Sequence, residues 1–238
     1  MSNQQESGFG ARLRYAKDML QSLIQLNKYQ PQQSELSISE LDKLIQKAED
    51  ANLQTTQVLS KDEALVTQRQ SAYKTDEFSL LKRLSLISKS ASIQYGNQSK
   101  ELERVQAAVR QVRSVRLKSK NTPKDAAIEE ENKVSTYHTS YGSQYESFEK
   151  LIVCLENLPN YDSPIQEAKI SSLKDLKDLL NKLDNQLAAA HQSLSNARNE
   201  RNDLFKELNI RFTKAKQFVR VVYGQTSNEY KAIKDFKI

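Results

Sequence analysis

Cys154, His138 and His191 are the residues with the most distinctive chemistry, and their surroundings limit what each can do. Cys154 lies in Leu151-Ile152-Val153-Cys154-Leu155, the most apolar stretch of the chain. A reactive thiol needs a cationic, partly exposed setting, so this one is expected to be a buried small hydrophobe. The two histidines are far apart, and neither has a cysteine or second histidine at metal-ligand spacing. A Ser-His-Asp or Cys-His site could be assembled only by arbitrary choice among many serines and acids. No phosphate-cradling glycine loop and no His-Glu-x-x-His sequence occurs. The expectation is therefore no catalytic, metal or cofactor site, and no enzyme.

Two segments carry weaker signals. From Arg104 to Lys124 there are basic residues and no acid, with Arg110, Arg113, Arg116, Lys118 and Lys120 as candidate phosphate contacts. On a helix, Arg110, Arg113 and Arg116 spread over more than a third of the circumference, and Arg116 falls among Val105, Val109 and Val112. No aromatic residue interleaves for base stacking, and an acidic run begins at Asp125. Solvated helix charges are the favoured reading. Tyr137, Tyr141 and Tyr145 cluster ahead of a helix; they form a candidate interface or an arm packed on its own bundle.

The elements that must position these residues are helical. The chain of 238 residues is 37% hydrophobic and 28% charged, with 5 Gly, 4 Pro and no Trp, which favours long amphipathic helices over sheets. A net charge of +6 leaves nucleic acid or anionic membrane open without selecting either. The first residues lack the basic and apolar regions of a signal peptide, and no apolar run approaches the ~18 residues that span a bilayer. One cysteine makes no intramolecular disulfide, so a reducing, cytoplasmic setting is expected. Conversion to a membrane-bound form is disfavoured by the low hydrophobicity.

The chain also resembles itself. An offset of 132 residues pairs Gly10 with Gly142, Leu23 with Leu155, Tyr29 with Tyr161, Glu35 with Glu167 and Ile38-Ser39 with Ile170-Ser171. Further on the offset becomes 128: Leu80 meets Leu208, Arg83 meets Arg211, and Tyr95-Gly96-x-x-Ser99-x-Glu101 meets Tyr223-Gly224-x-x-Ser227-x-Glu229. The change of four residues is about one helical turn, which preserves an apolar face. The expected architecture is an all-α, elongated helical bundle of two tandem pseudo-repeats, each of about three helices.

In each copy helix A is expected over 11–28 and 143–158, ending at the tyrosine and proline residues that follow. Helix B begins near Ser37 or Ser171, each a candidate cap. Helix C, over 77–95 and 206–223, ends at the Tyr-Gly pair, where Gly96 and Gly224 can take the left-handed conformation. Ser99 and Ser227 can cap the next helix with Glu101 and Glu229 near its positive end; Thr226 and Glu229 also have capping-box spacing. Residues 170–223 contain no Gly or Pro, so helices B and C could form one rod or turn near 73–76 and 199–204.

Arg198 to Phe205, Val219 to Gly224, Ser227, Glu229-Tyr230-Lys231 and Phe236-Lys237-Ile238 resemble the C-terminal pattern of uncharacterised bacterial helical-bundle proteins, [FY]-G-x-x-S-x-E-Y. The resemblance implies a bacterial helical repeat protein and no substrate. A glycine-bearing loop between helices B and C, part of that pattern, is absent here.

The expected organisation is a first repeat at 1–101, a connecting helix and polar linker at 102–136, and a second repeat at 137–238, with packing of the two repeats as one domain left open. The expected function is a non-enzymatic scaffold that self-associates or docks a protein partner, without cofactor. The alternative is a basic nucleic-acid-binding module acting through residues 104–124.

Overall fold

A computed structural model describes residues 8–113 and 140–238. These are helical, with no strand among the described residues. The helices are α1 (Phe9–Ile24), α2 (Ile38–Gln70), α3 (Leu80–Tyr95), α4 (Lys100–Val112), α5 (Tyr141–Glu156), α6 (Ile170–Tyr223) and α7 (Asn228–Ile233). No described helix is long and apolar enough to cross a membrane.

The absence of Gly and Pro from 170–223 lets α6 run without interruption for 54 residues. The first half of the chain is interrupted instead. There α2 runs into a π-helical turn at Ser71–Thr75, and Asp76 Oδ1 accepts from Phe78 N at 3.1 Å before α3 begins. An aspartate bonded to a main-chain N–H two residues on offers the backbone an alternative to the helical ladder.

The chain forms two compact units. One unit, called N here, joins residues 1–63 to 188–238; the other, M, comprises residues 64–187. Long helices α2 and α6 contribute to both.

In unit N, α1 presents Leu13, Ala16, Met19, Leu20 and Leu23 at three-and-four spacing to Leu41, Leu44, Ile45 and Ala48 of α2. Phe205, Leu208, Phe212, Ala215 and Val219 of α6 complete this core, and Ile233 of α7 joins it. In unit M, Phe148, Leu151, Ile152 and Leu155 of α5 pack with Leu173, Leu176 and Leu180 of α6 and with Leu80, Leu84, Ile87 and Ala91 of α3. Helix α4 adds Leu102, Val105, Val109 and Val112. Each leucine withdrawn from water in this way contributes about 1.5–3 kcal/mol.

Helix ends depart from the sequence expectation in definite ways. Helix α1 stops at Ile24, four residues early, because the chain tightens: Gln25 N, Leu26 N and Tyr29 N bond to carbonyls three residues back. Ser37 Oγ accepts from Glu40 N at 3.3 Å as a cap. Ser171 instead lies inside the first turn of α6, since that helix already begins at Ile170. The cap of α7 is Ser227, which accepts from Tyr230 N at 3.0 Å, and not Thr226.

Candidate interaction surfaces

Two corners, one per unit, are built by the Tyr-Gly segments. Gly96 has φ 83° and ψ 162°, so its positive φ is paired with an extended ψ and not the left-handed helical one; Gly224 has φ 95°. That backbone region is essentially reserved for glycine. Ser99 Oγ then accepts from Leu102 N at 3.2 Å, and Glu101 and Glu229 occupy the first turns of α4 and α7. Acids there complement the helix dipole.

Each corner is fastened to the loop that follows a helix of its own unit, α5 in M and α1 in N. In M, Tyr95 Oη donates to the Pro159 carbonyl at 2.9 Å, and Gln94 bonds to the Asn160 carbonyl and the Asp162 N–H. In N, Tyr223 Oη accepts from Lys28 N at 2.7 Å. Two residues before the tyrosine of the Tyr-Gly pair, each unit leaves an aliphatic side chain in water: Ile93 is 71% exposed and Val221 is 82% exposed.

A second pair of features lies where α1 and α5 begin. In N the Phe9 and Phe205 rings meet edge to face at 4.8 Å, and Arg201 stacks 3.9 Å from the Phe9 centroid. Arg12 lies 5.0 Å from the Phe205 centroid and donates to the Phe205 carbonyl at 3.1 Å. In M the Tyr73 and Tyr141 rings meet at 4.6 Å, with Arg69 at 4.3 Å and Lys74 at 5.0 Å from the Tyr141 centroid. Cations over aromatic faces are held by the ring quadrupole.

The two clusters differ in counter-charge. Asp184 of M accepts from Tyr73 Oη at 2.9 Å and pairs with Arg69 at 3.5 Å. Burial, then this hydrogen bond to a carboxylate, holds the Tyr73 hydroxyl far above the ordinary tyrosine range. In N no carboxylate lies within 4.0 Å of Arg12, Arg198 or Arg201 among the described residues. Sequence reasoning missed these clusters, because each combines residues from distant parts of the chain. The available signal was the aromatic pair Phe9 and Tyr141 at the 132 offset.

Of the residues singled out from sequence, Arg110 and Arg113 lie on α4 and at its end, and Arg113 donates to Ser85 Oγ at 2.7 Å. Arg116, Lys118, Lys120, Tyr137, His138 and the linker at 121–135 lie outside the described residues. Tyr141 belongs to the aromatic cluster of M, and Tyr145 packs against the same core. Cys154 is half-buried and not buried, because it sits on the flank of α5 while Leu151, Ile152 and Leu155 fill the core; burial still raises its pKa, against a lowering by Arg104.

His191 is half of a tight pair in unit N. Its Nδ1 lies 2.6 Å from Asp62 Oδ1, and Asp62 is only 7% exposed. Cys154 belongs to the other unit, so the chain's thiol and this imidazole sit in separate units. An open groove of about 530 Å³ runs between α1 and α2, bridged by Lys17 and Glu49 at 2.7 Å. Among the described residues no group of three His, Cys, Asp or Glu is placed to hold a metal ion. No family model, curated protein or solved structure matches this chain.

Proposed function

We propose that this protein is a non-enzymatic helical scaffold that self-associates, built from two copies of one helical unit whose helices C are exchanged between the copies. The observation that carries self-association is the pair Ile93 and Val221. They stand at the 128 offset, they are the most exposed large apolar side chains among the described residues, and both adjoin a Tyr-Gly corner. A chain that presents one patch twice offers like surfaces to a second copy, the condition for a closed, self-complementary contact.

Support for the duplication comes from contacts that recur at fixed offsets. Tyr29 Oη donates to the Leu36 carbonyl at 2.7 Å, and Tyr161 Oη to the Ala168 carbonyl at 3.0 Å. Arg83 reaches the Glu167 carbonyl at 3.3 Å, and Arg211 the Glu35 carbonyl at 3.4 Å. The four residues that separate the two offsets fall where the first half breaks at 71–79 and the second runs straight through. On this reading unit N combines helices A and B of copy one with helix C of copy two, and M the reverse.

Sedimentation at two loading concentrations tests the function. The expected result is a mass above that of one chain which falls on dilution, and which I93E with V221E returns to one chain. A single-chain mass at every concentration overturns self-association and leaves a different protein as the partner. The basic run of 104–124 favours a second reading as a nucleic-acid module. Binding to arbitrary duplex that weakens steeply with salt supports it, and no binding at low salt removes it.

A further inference from the structure

The three arginines of unit N, two of them stacked on Phe9 and Phe205, carry charge that no carboxylate of the described residues pairs. Arg198 and Arg201 stand three residues apart on α6 and so share a face. Arg201 is partly buried, and its Nε is shielded from solvent without a hydrogen-bond partner. Its guanidinium plane is fixed by the Phe9 ring at 3.9 Å, and Arg12 is within 6.0 Å of the same ring. The first turn of α1, where Arg12 sits, has no acid and no side-chain cap. A cation there is on the unfavourable end of the helix dipole.

Electrostatics makes the cluster costly as it stands. Burial lowers the pKa of both Arg12 and Arg201, and the charged group acting on Arg201 is another cation, Arg198. Like charges brought together and partly desolvated destabilise the fold unless something neutralises them. Unit M meets the same situation with a carboxylate, Asp184. The residue at the 132 offset in unit N is Asn52, which is neutral.

We propose that the face of unit N where α1 begins binds a phosphate-class oxyanion through Arg12, Arg198 and Arg201. Guanidinium groups suit this task because their planar forks give charge-assisted, bidentate bonds to phosphate oxygens. Phe9 and Phe205 pre-orient two of the forks, so little side-chain freedom is lost on binding. The comparison with Asp184 and Asn52 rests on the duplication proposed above; the three arginines stand without it.

The test is thermal unfolding of the full chain in inorganic phosphate against sodium chloride of equal ionic strength. Phosphate is expected to raise the melting temperature in a concentration-dependent way, as any ligand of the folded state does. R201Q is expected to abolish most of the shift and R198Q to reduce it, while K89Q, an exposed charge in unit M, leaves it unchanged. Since R201Q also removes a stacked side chain, the exposed R198Q keeps the test decisive if R201Q does not fold. N52D is expected to raise the melting temperature in chloride and shrink the phosphate shift.

A larger shift with phenyl phosphate assigns the site to a phosphate monoester, and a larger shift with inorganic phosphate assigns it to the free ion. Equal melting in phosphate and chloride overturns the proposal, as does a phosphate shift that R201Q and R198Q leave intact. Failure of N52D alone counts against the offset comparison and not against the arginine site.

Discussion

Arg211, late in α6, donates to the main-chain carbonyl of Glu35, a residue 176 positions earlier. The bond ties the turn ahead of α2 to a helix from the far end of the chain. Arg83 makes the corresponding bond in unit M, reaching the Glu167 carbonyl and also Ser172 O at 3.1 Å and Ser172 Oγ at 2.7 Å. Both arginines therefore tie down a main-chain carbonyl of the short turn ahead of a long helix.

R83M is expected to destabilise the protein by about 1.5–3 kcal/mol, the usual range for hydrogen bonds to a charged group. R211M should cost less, since its single carbonyl bond is long. Urea denaturation measures both. An R83M midpoint equal to that of the parent would contradict the role given to the turn.

G96A and G224A are each expected to cost about 1–3 kcal/mol, because alanine is strained at these backbone angles. Open space surrounds both positions, so the loss is of backbone origin and not from a clash. Substitution to Asn, which tolerates positive φ better, should recover part of it. Equal stability of the alanine and parent proteins would show that the corners relax.

Tyr29 makes stability fall at alkaline pH. Burial pushes its hydroxyl up from 10.0 to about 12. A raised folded-state pKa favours the protonated form, so the stabilisation is complete below pH 10 and is lost as pH rises through about 12. Y29F should lose about 1 kcal/mol at neutral pH and show a shallower decline over that window. A parallel decline in both proteins would exclude Tyr29 as the source.

The buried Asp62 Oδ1 lies 2.6 Å from His191 Nδ1 without the geometry of a hydrogen bond, and removing the imidazole leaves that carboxylate alone. H191A is expected to destabilise by roughly 1–3 kcal/mol, and the double variant H191A/D62L to regain most of that loss. The informative quantity is the difference between the two in urea. A double variant no better than H191A would mean that the pair is not the source of the cost.

Much of the fold could be read from residues that act locally. The apolar spacing of Leu13 to Leu23 and of Leu41 to Ala48 marks faces that are indeed buried. Ser99 and Ser227 cap the helices that follow Gly96 and Gly224 because a small polar residue and a glycine act over one turn. What could not be read is pairing. Leu84 and Phe212 stand at corresponding positions with the same apolar character, so nothing local says which of them covers α1. The cation clusters were hidden for the same reason: Arg201 and Phe9 are brought together only by that choice.

The choice of partner is also where the account is most exposed. The Phe9 and Phe205 rings are 4.8 Å apart, so their protons should give a strong nuclear Overhauser cross-peak in protein with labelled phenylalanine rings. F205L, which keeps an apolar side chain, should remove that peak. Cross-peaks from Phe9 to Leu84 of α3, with none to Phe205, would instead mean that each half of the chain folds on itself, and would contradict the exchange proposed for the two units.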